Sequence, residues 1–267
     1  AGLPTDRDVV SALWPSWDDF IAVGEEFVAN SDTKFIDSGG TLFNALINQG
    51  EEKFYSTPDA DGNSELIYDT NPSIQRAWDI AIQAVEAGLS ANYQNFSPEW
   101  NAAMANGDYA VLMAPAWMMG YIQGQAPDTE GLWDIASMPE GGGNWGGTQL
   151  TIPANSENAE LTYDLLSYIL APEQQLKVFE ECGNFPSTPE VYDTPAIQDF
   201  TNPFFSDAPV GKIYAEGALQ LKPIYEGEYE QAIQGEFGSG ISRVEQGLED
   251  ADTAWQTSLD AIALVVG

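Results

Sequence analysis

Asn106-Gly-Asp-Tyr-Ala-Val-Leu-Met-Ala-Pro-Ala-Trp-Met-Met-Gly-Tyr121, closed by Gly141-Gly-Gly-Asn-Trp-Gly-Gly-Thr-Gln149, decides the reading of this chain. Its first part predicts a short buried strand over Tyr109–Ala114, a turn at Pro115 and a brief helix. A second strand is expected over Trp133–Met138, followed by a glycine-rich crossing. Trp117 and Trp145 fall where the backbone turns, beside glycines that let main chain come close. A flat, hydroxylated ligand needs such ring faces to stack on. The competing reading is that both indoles fill the core, since tryptophan is usually highly buried.

Upstream, Ser16 caps an expected helix over Trp17–Ala29, with Asp19 in its first turn and Trp17, Phe20, Ile21, Phe27 and Val28 as its apolar stripe. Ser38-Gly-Gly-Thr-Leu-Phe43 reads as a loop into a second helix that closes near Gly50; Phe43 is a helix staple or a pocket wall. Two short extended pieces between Phe54 and Tyr68 flank the turn Pro58-Asp-Ala-Asp-Gly-Asn63. Its acidic spacing invites a calcium reading, but an EF-hand loop wants glycine at the sixth position, and Gly62 comes fourth after Asp59. A surface hairpin is the better reading.

Asn71-Pro72 opens the clearest helix, with Ile74, Ala77, Trp78, Ala81, Ile82 and Val85 on one face before Gly88. Ser97-Pro-Glu-Trp100 caps another. Beyond the glycines, Leu150–Pro153 reads as a strand. The chain then gives a helix bearing Leu161, Leu165, Leu166 and Ile169, a second starting at Pro172, and an irregular region from Phe185 through Pro209. It ends on a seam at Ile241, Val244, Leu248, Ala251, Trp255, Leu259 and Ile262 in steps of three and four. Strands alternating with helices predict an α/β fold.

Composition removes whole classes of chemistry. Without histidine there is no Ser-His-Asp or Cys-His catalysis and no HExxH zinc site. The single cysteine, Cys182, allows neither an internal disulfide nor a thiolate zinc cluster, and neither GxxxxGK[ST] nor GxGxxG occurs. No cofactor or metal is expected. A formal charge of −34, from 8 basic and 42 acidic residues, opposes nucleic acid and anionic lipid. No apolar run reaches the roughly 18 residues of a membrane span. A carboxylate-pair glycoside hydrolase is still open, although no pair stands out among 42 acids.

Four motifs carry a family resemblance. Ala1-Gly-Leu-Pro-Thr-Asp with Trp17-Asp-Asp-Phe20 resembles an "AGLP…TWDEF" entry to a second lobe, and Asn106–Trp117 resembles "GKAAMxxxGPW". Gly146–Pro153 resembles "GGxxxAIP", and Leu166–Gln175 resembles "FLxSPEAQ". In this order they are similar to the extracellular solute-binding proteins of ABC importers, in the carbohydrate-binding group similar to maltose-binding protein. The resemblance implies a periplasmic-binding-protein-like type II fold, with two α/β lobes, a hinge and an oligosaccharide between them. The implied partners are ABC permease transmembrane subunits, and the implied location is extracellular, periplasmic or lipid-anchored at the cell surface. By position it implies Trp117, Trp145, Gly146 and Gly147 at the ligand, Phe43 near another wall, and Tyr225, Glu226 and Tyr229 on an aromatic loop.

In the family most of the first lobe precedes the Ala-Gly-Leu-Pro motif. Residues 1–144 and 188–267 are therefore expected to form the second lobe, and 145–187 one returning section of an incomplete first lobe. Leu150, Ile152, Leu165 and Ile169 should then be exposed unless a separate chain or fragment covers them. A binding protein for another solute, such as a polyamine, is the rival that the acidity suggests.

Overall fold

Helix signals in the sequence translate almost directly into elements in the computed structural model, which describes residues 1–267. Twelve α-helices form. Through the first half of the chain they run α1 (Arg7–Leu13), α2 (Trp17–Ala29), α3 (Gly39–Ile47), α4 (Pro72–Glu86), α5 (Pro98–Asn106) and α6 (Met118–Gln125). There follow α7 (Ala159–Ile169), α8 (Pro172–Cys182), α9 (Pro195–Gln198), α10 (Val210–Ala218), α11 (Glu230–Glu245) and α12 (Ala251–Val266). Side chains of Ser16, Ser38, Asn71, Ser97 and Asp250 accept from first-turn amides, satisfying donors that a helix start leaves free.

Strand is scarce. β1 (Lys34–Ile36) pairs in parallel with β2 (Tyr109–Val111), in register Lys34 to Tyr109 and Ile36 to Val111. Parallel pairing across that separation needs a crossover, supplied here by α3, α4 and α5. The strand expected at Tyr109–Ala114 therefore stops at Val111, and β1 has too few residues to show an alternating pattern.

Two expected strands are absent. Over Trp133–Met138 the backbone is irregular because α1 lies along it. Ser137 donates its amide to Ser11 Oγ at 3.0 Å, and its carbonyl accepts from Trp14 Nε1 at 2.9 Å. Leu150–Pro153 has no neighbouring strand to pair with and is irregular too. The terminal seam is split. Gly247, at φ +69°, ends α11 in the left-handed region, Asp250 caps α12, and Leu248 is left exposed in the turn.

The main core joins α2, α3, α4, α11 and α12 around Trp17, Phe20, Phe35, Phe54, Trp78 and Phe237. Phe43 is 1 % exposed and meets Phe237 at 5.6 Å, so it packs in this core with its ring turned away from solvent. A second core gathers Trp100, Met104, Tyr109, Met118, Ile122 and Phe205 around α5 and α6. A third, small one joins Phe179 of α8 to Val191, Tyr192 and Ile197. Helix α7 buries no residue at all; Leu161, Leu165, Tyr168 and Ile169 are exposed, as is Leu150, while Ile152 is half-buried. No helix is long and apolar enough to cross a membrane.

Candidate functional site

The turn after Pro115 and the glycine crossing come together at the surface. Trp117 Nε1 donates to the Trp145 carbonyl at 3.2 Å, and the two indoles meet edge to face with centroids 5.8 Å apart. Trp117 is 41 % exposed and Trp145 half-buried, so the pair presents ring surface to solvent. Gly146 and Gly147 follow directly, exposed and at φ +77° and +158°, a conformation that side-chain-bearing residues resist.

A third ring completes the patch, and sequence reasoning missed it. Phe96 lies nearly parallel to Trp117, at 19° and 6.3 Å, and 6.2 Å from Trp145, while its other neighbours are Trp100 and Tyr121. It is 46 % exposed and sits at φ +64°, an outlier for a bulky side chain. Such strain persists only where surrounding structure enforces it, and it clusters at functional sites. The one available signal was an aromatic just before the Ser97-Pro98 helix start, a position that normally staples inward.

Beneath this surface lies a polar node. Asp37, directly after β1, is fully buried, and its Oδ2 accepts from Thr41 Oγ1 and Trp100 Nε1, both at 2.8 Å, and from Asn95 Nδ2 at 3.3 Å. Burial pushes its carboxyl up to about 6, against the opposing pull of the Thr41 and Trp100 donors. Its Oδ1 and the nearby buried Tyr109 hydroxyl find no partner.

Tyr225, Glu226 and Tyr229 form a separate patch. Tyr225 is exposed and packs edge to face on Tyr55 at 5.8 Å; Tyr55 Oη also accepts the Tyr229 amide at 3.0 Å. Lys53 Nζ, almost wholly buried, reaches Glu226 at 2.7 Å and Glu230 at 3.6 Å. Lys53 and Tyr55, both unpredicted, thus clamp the loop from one extended segment. No ring contact joins this patch to the tryptophan pair.

The glycine run threads between α3 and α10. Gln49 Nε2 donates to the carbonyls of Pro139 and Gly141 at 2.7 and 2.6 Å, and a side chain on Gly142 would overlap the Gly217 carbonyl. Glycine is what lets the crossing pass. Asp59, in the Pro58–Asn63 turn, accepts with its carboxylate from the amides of Asp61 and Asn63, both at 2.9 Å.

Comparison with known proteins fits this architecture. Residues 2–204 match the family model for bacterial extracellular solute-binding proteins. An arabinooligosaccharide-binding protein of Halalkalibacterium halodurans is 25 % identical over 242 residues, covering 85 % of this chain and 53 % of its own. A protein of the same description from Bacillus subtilis is 22 % identical over 223 residues, covering 79 % and 51 %. The chain thus spans about half the length of these curated relatives.

Among solved structures, one described as an extracellular solute-binding protein of family 1 superposes with a TM-score of 0.89 at 34 % identity, over all of this chain and 67 % of that one. An ABC-transporter-associated binding protein from B. animalis subsp. lactis, solved with β-1,6-galactobiose, gives 0.71 at 21 % identity, over 92 % and 65 %. The fold is that of type II solute-binding proteins, α/β in class with few strand residues in this chain. On the family match and this shared fold, the chain belongs to the bacterial extracellular solute-binding protein family.

Proposed function

We propose that the chain carries ligand-facing structure of an extracellular receptor that captures a short oligosaccharide and delivers it to an ABC importer, without making or breaking a bond. The observation that carries this reading is the solvent-facing surface of Phe96, Trp117 and Trp145. Each sugar ring stacked on an aromatic face gains on the order of 1 kcal/mol beyond its buried area. Relatives named for arabinooligosaccharides, and a structural neighbour holding β-1,6-galactobiose, favour a short oligosaccharide as ligand class. The exposed Tyr225 ring, on a separate patch with Glu226 and Tyr229, would add a second stacking face to this reading.

In this reading, residues 1–144 and 188–267 are one lobe and 145–187 the returning part of the other. Support comes from the exposed apolar residues of α7 and from a main core drawn wholly from outside that section. Closure of the lobes by a hinge would hide sugar from water and present a surface that the permease's transmembrane subunits distinguish. The receptor works outside the cytoplasmic membrane, held there by a lipid anchor.

Isothermal titration with arabinotriose, β-1,6-galactobiose and maltotriose tests the ligand class, with spermidine as the rival cation. Micromolar or tighter binding of at least one sugar is expected. Trp117→Ala should weaken it by roughly 1–3 kcal/mol while leaving the fold intact. Binding of spermidine alone, or turnover of a chromogenic glycoside, would overturn the assignment.

A further inference from the structure

We infer that Asp37 is a positioning residue for the ring surface, holding the turn from Tyr93 to Trp100 so that Phe96 keeps its left-handed backbone and turns its ring outward to the sugar. This rests on the receptor reading above and extends it to a residue with no contact to ligand.

A phenylalanine at φ +64° is strained, and this one is only partly buried in return, since nearly half of its surface faces solvent. A turn selected only for folding would relax by rotating the ring inward beside Trp100 and Tyr121. The neighbouring bonds prevent that. On the chain before Phe96, the Tyr93 amide donates to the Asp37 carbonyl at 3.1 Å, and Asn95 Nδ2 donates to Asp37 Oδ2 at 3.3 Å. On the chain after it, Trp100 Nε1 donates to the same carboxylate oxygen at 2.8 Å. Both flanks of Phe96 therefore end on one residue.

Trp100 is also the floor on which Phe96 rests, 5.2 Å between ring centroids, so Asp37 fixes the support as well as the backbone. Asp37 is itself closely held. It follows β1 directly, with no exposed surface, and Thr41 of α3 donates to it at 2.8 Å. A buried acceptor shared by three donors ties them together, and removing it leaves Trp100 Nε1 without an acceptor, while Thr41 Oγ1 keeps Asn95 Oδ1 at 3.0 Å.

The test compares hydrogen exchange and sugar affinity in the full chain. In Asp37→Ala, the Tyr93 and Ser97 amides, which donate to the Asp37 and Gln94 carbonyls, should exchange at least about tenfold faster than in wild type as the turn loosens, while peptides from α4 change less than about twofold. Affinity for arabinotriose should fall at least about fivefold. Asp37→Asn keeps an acceptor oxygen for Trp100 and Thr41 and should restore both readouts to within about twofold. If Asp37→Ala does not fold, Trp100→Phe removes one donor alone and should loosen the same amides.

Unchanged protection of the Tyr93 and Ser97 amides, equal loosening of α4, or no rescue by asparagine would each overturn the inference. So would a loosened turn with full affinity in a protein whose Trp117→Ala variant has lost it. If wild type binds none of the sugars, the receptor reading fails and Asp37 has no ligand surface to position; the exchange result then shows only whether it anchors the turn.

Discussion

Glu230, in the first turn of α11, shows how one residue couples burial to pH. It is 3 % exposed, and neither carboxylate oxygen receives a hydrogen bond. Burial raises its carboxyl to about 7, with Lys53 pulling the other way and Glu226 adding to the rise. A carboxyl raised on folding contributes stability that is complete below its unfolded value and lost as pH climbs through about 7. Glu230→Gln should therefore match wild type near pH 4 and exceed it by about 1–3 kcal/mol at pH 8. Denaturant titration at both pH values checks this, and an equal difference at both contradicts it. Lys53 keeps Glu226 in the variant, so no cation is orphaned. Little of this was legible beforehand: Lys53 and Glu230 lie far apart in sequence, and only the return of α11 beside residues 53–55 joins them. Phe43 teaches the converse, since a residue type alone does not distinguish a staple from a wall until Phe237 arrives against it.

Glycine within α11 has opposite meanings a turn and a half apart. Gly235 has open space where a side chain would go and no unusual backbone angle, so Gly235→Ala should stabilise by about 0.5–1 kcal/mol through chain entropy and helix propensity. Gly240 faces Ser258 and the Trp78 ring, and Gly240→Ala should cost about 1–3 kcal/mol by forcing α11 away from α12 and α4. Thermal melts of the two variants must move in opposite directions for this account of the interface to hold. Helix extents were the most legible part of the sequence. Trp17–Ala29 formed with the bounds its cap and stripe predicted, and the capped starts at Pro72 and Pro98 were equally plain. Strands were least legible, because a three-residue strand carries no period and exists only through its partner.

Across the whole molecule, carboxylates outnumber cations by 42 to 8. Six of the eight cations, Arg7, Lys53, Arg76, Lys212, Lys222 and Arg243, already sit in carboxylate pairs. Most carboxylates therefore have no cationic partner, and their mutual repulsion is screened over about 10 Å at 0.1 M salt and about 3 Å at 1 M. The melting temperature should rise by several degrees between about 0.05 and 1 M sodium chloride, the reverse of what a fold resting on surface ion pairs would do. A melting temperature that falls with salt would show the ion pairs to dominate.

The sequence by itself determined the helices, the excluded chemistries and the two tryptophans beside glycine, because capping, periodicity and residue chemistry act over a few neighbouring positions. Tertiary structure alone decided that β1 and β2 pair, that the terminal helices fold back on each other, and that Phe96 joins Trp117 and Trp145 above Asp37. Those outcomes depend on which distant segments meet. Short-range propensity carries no record of that, and a strained phenylalanine is held only by bonds from elsewhere in the chain.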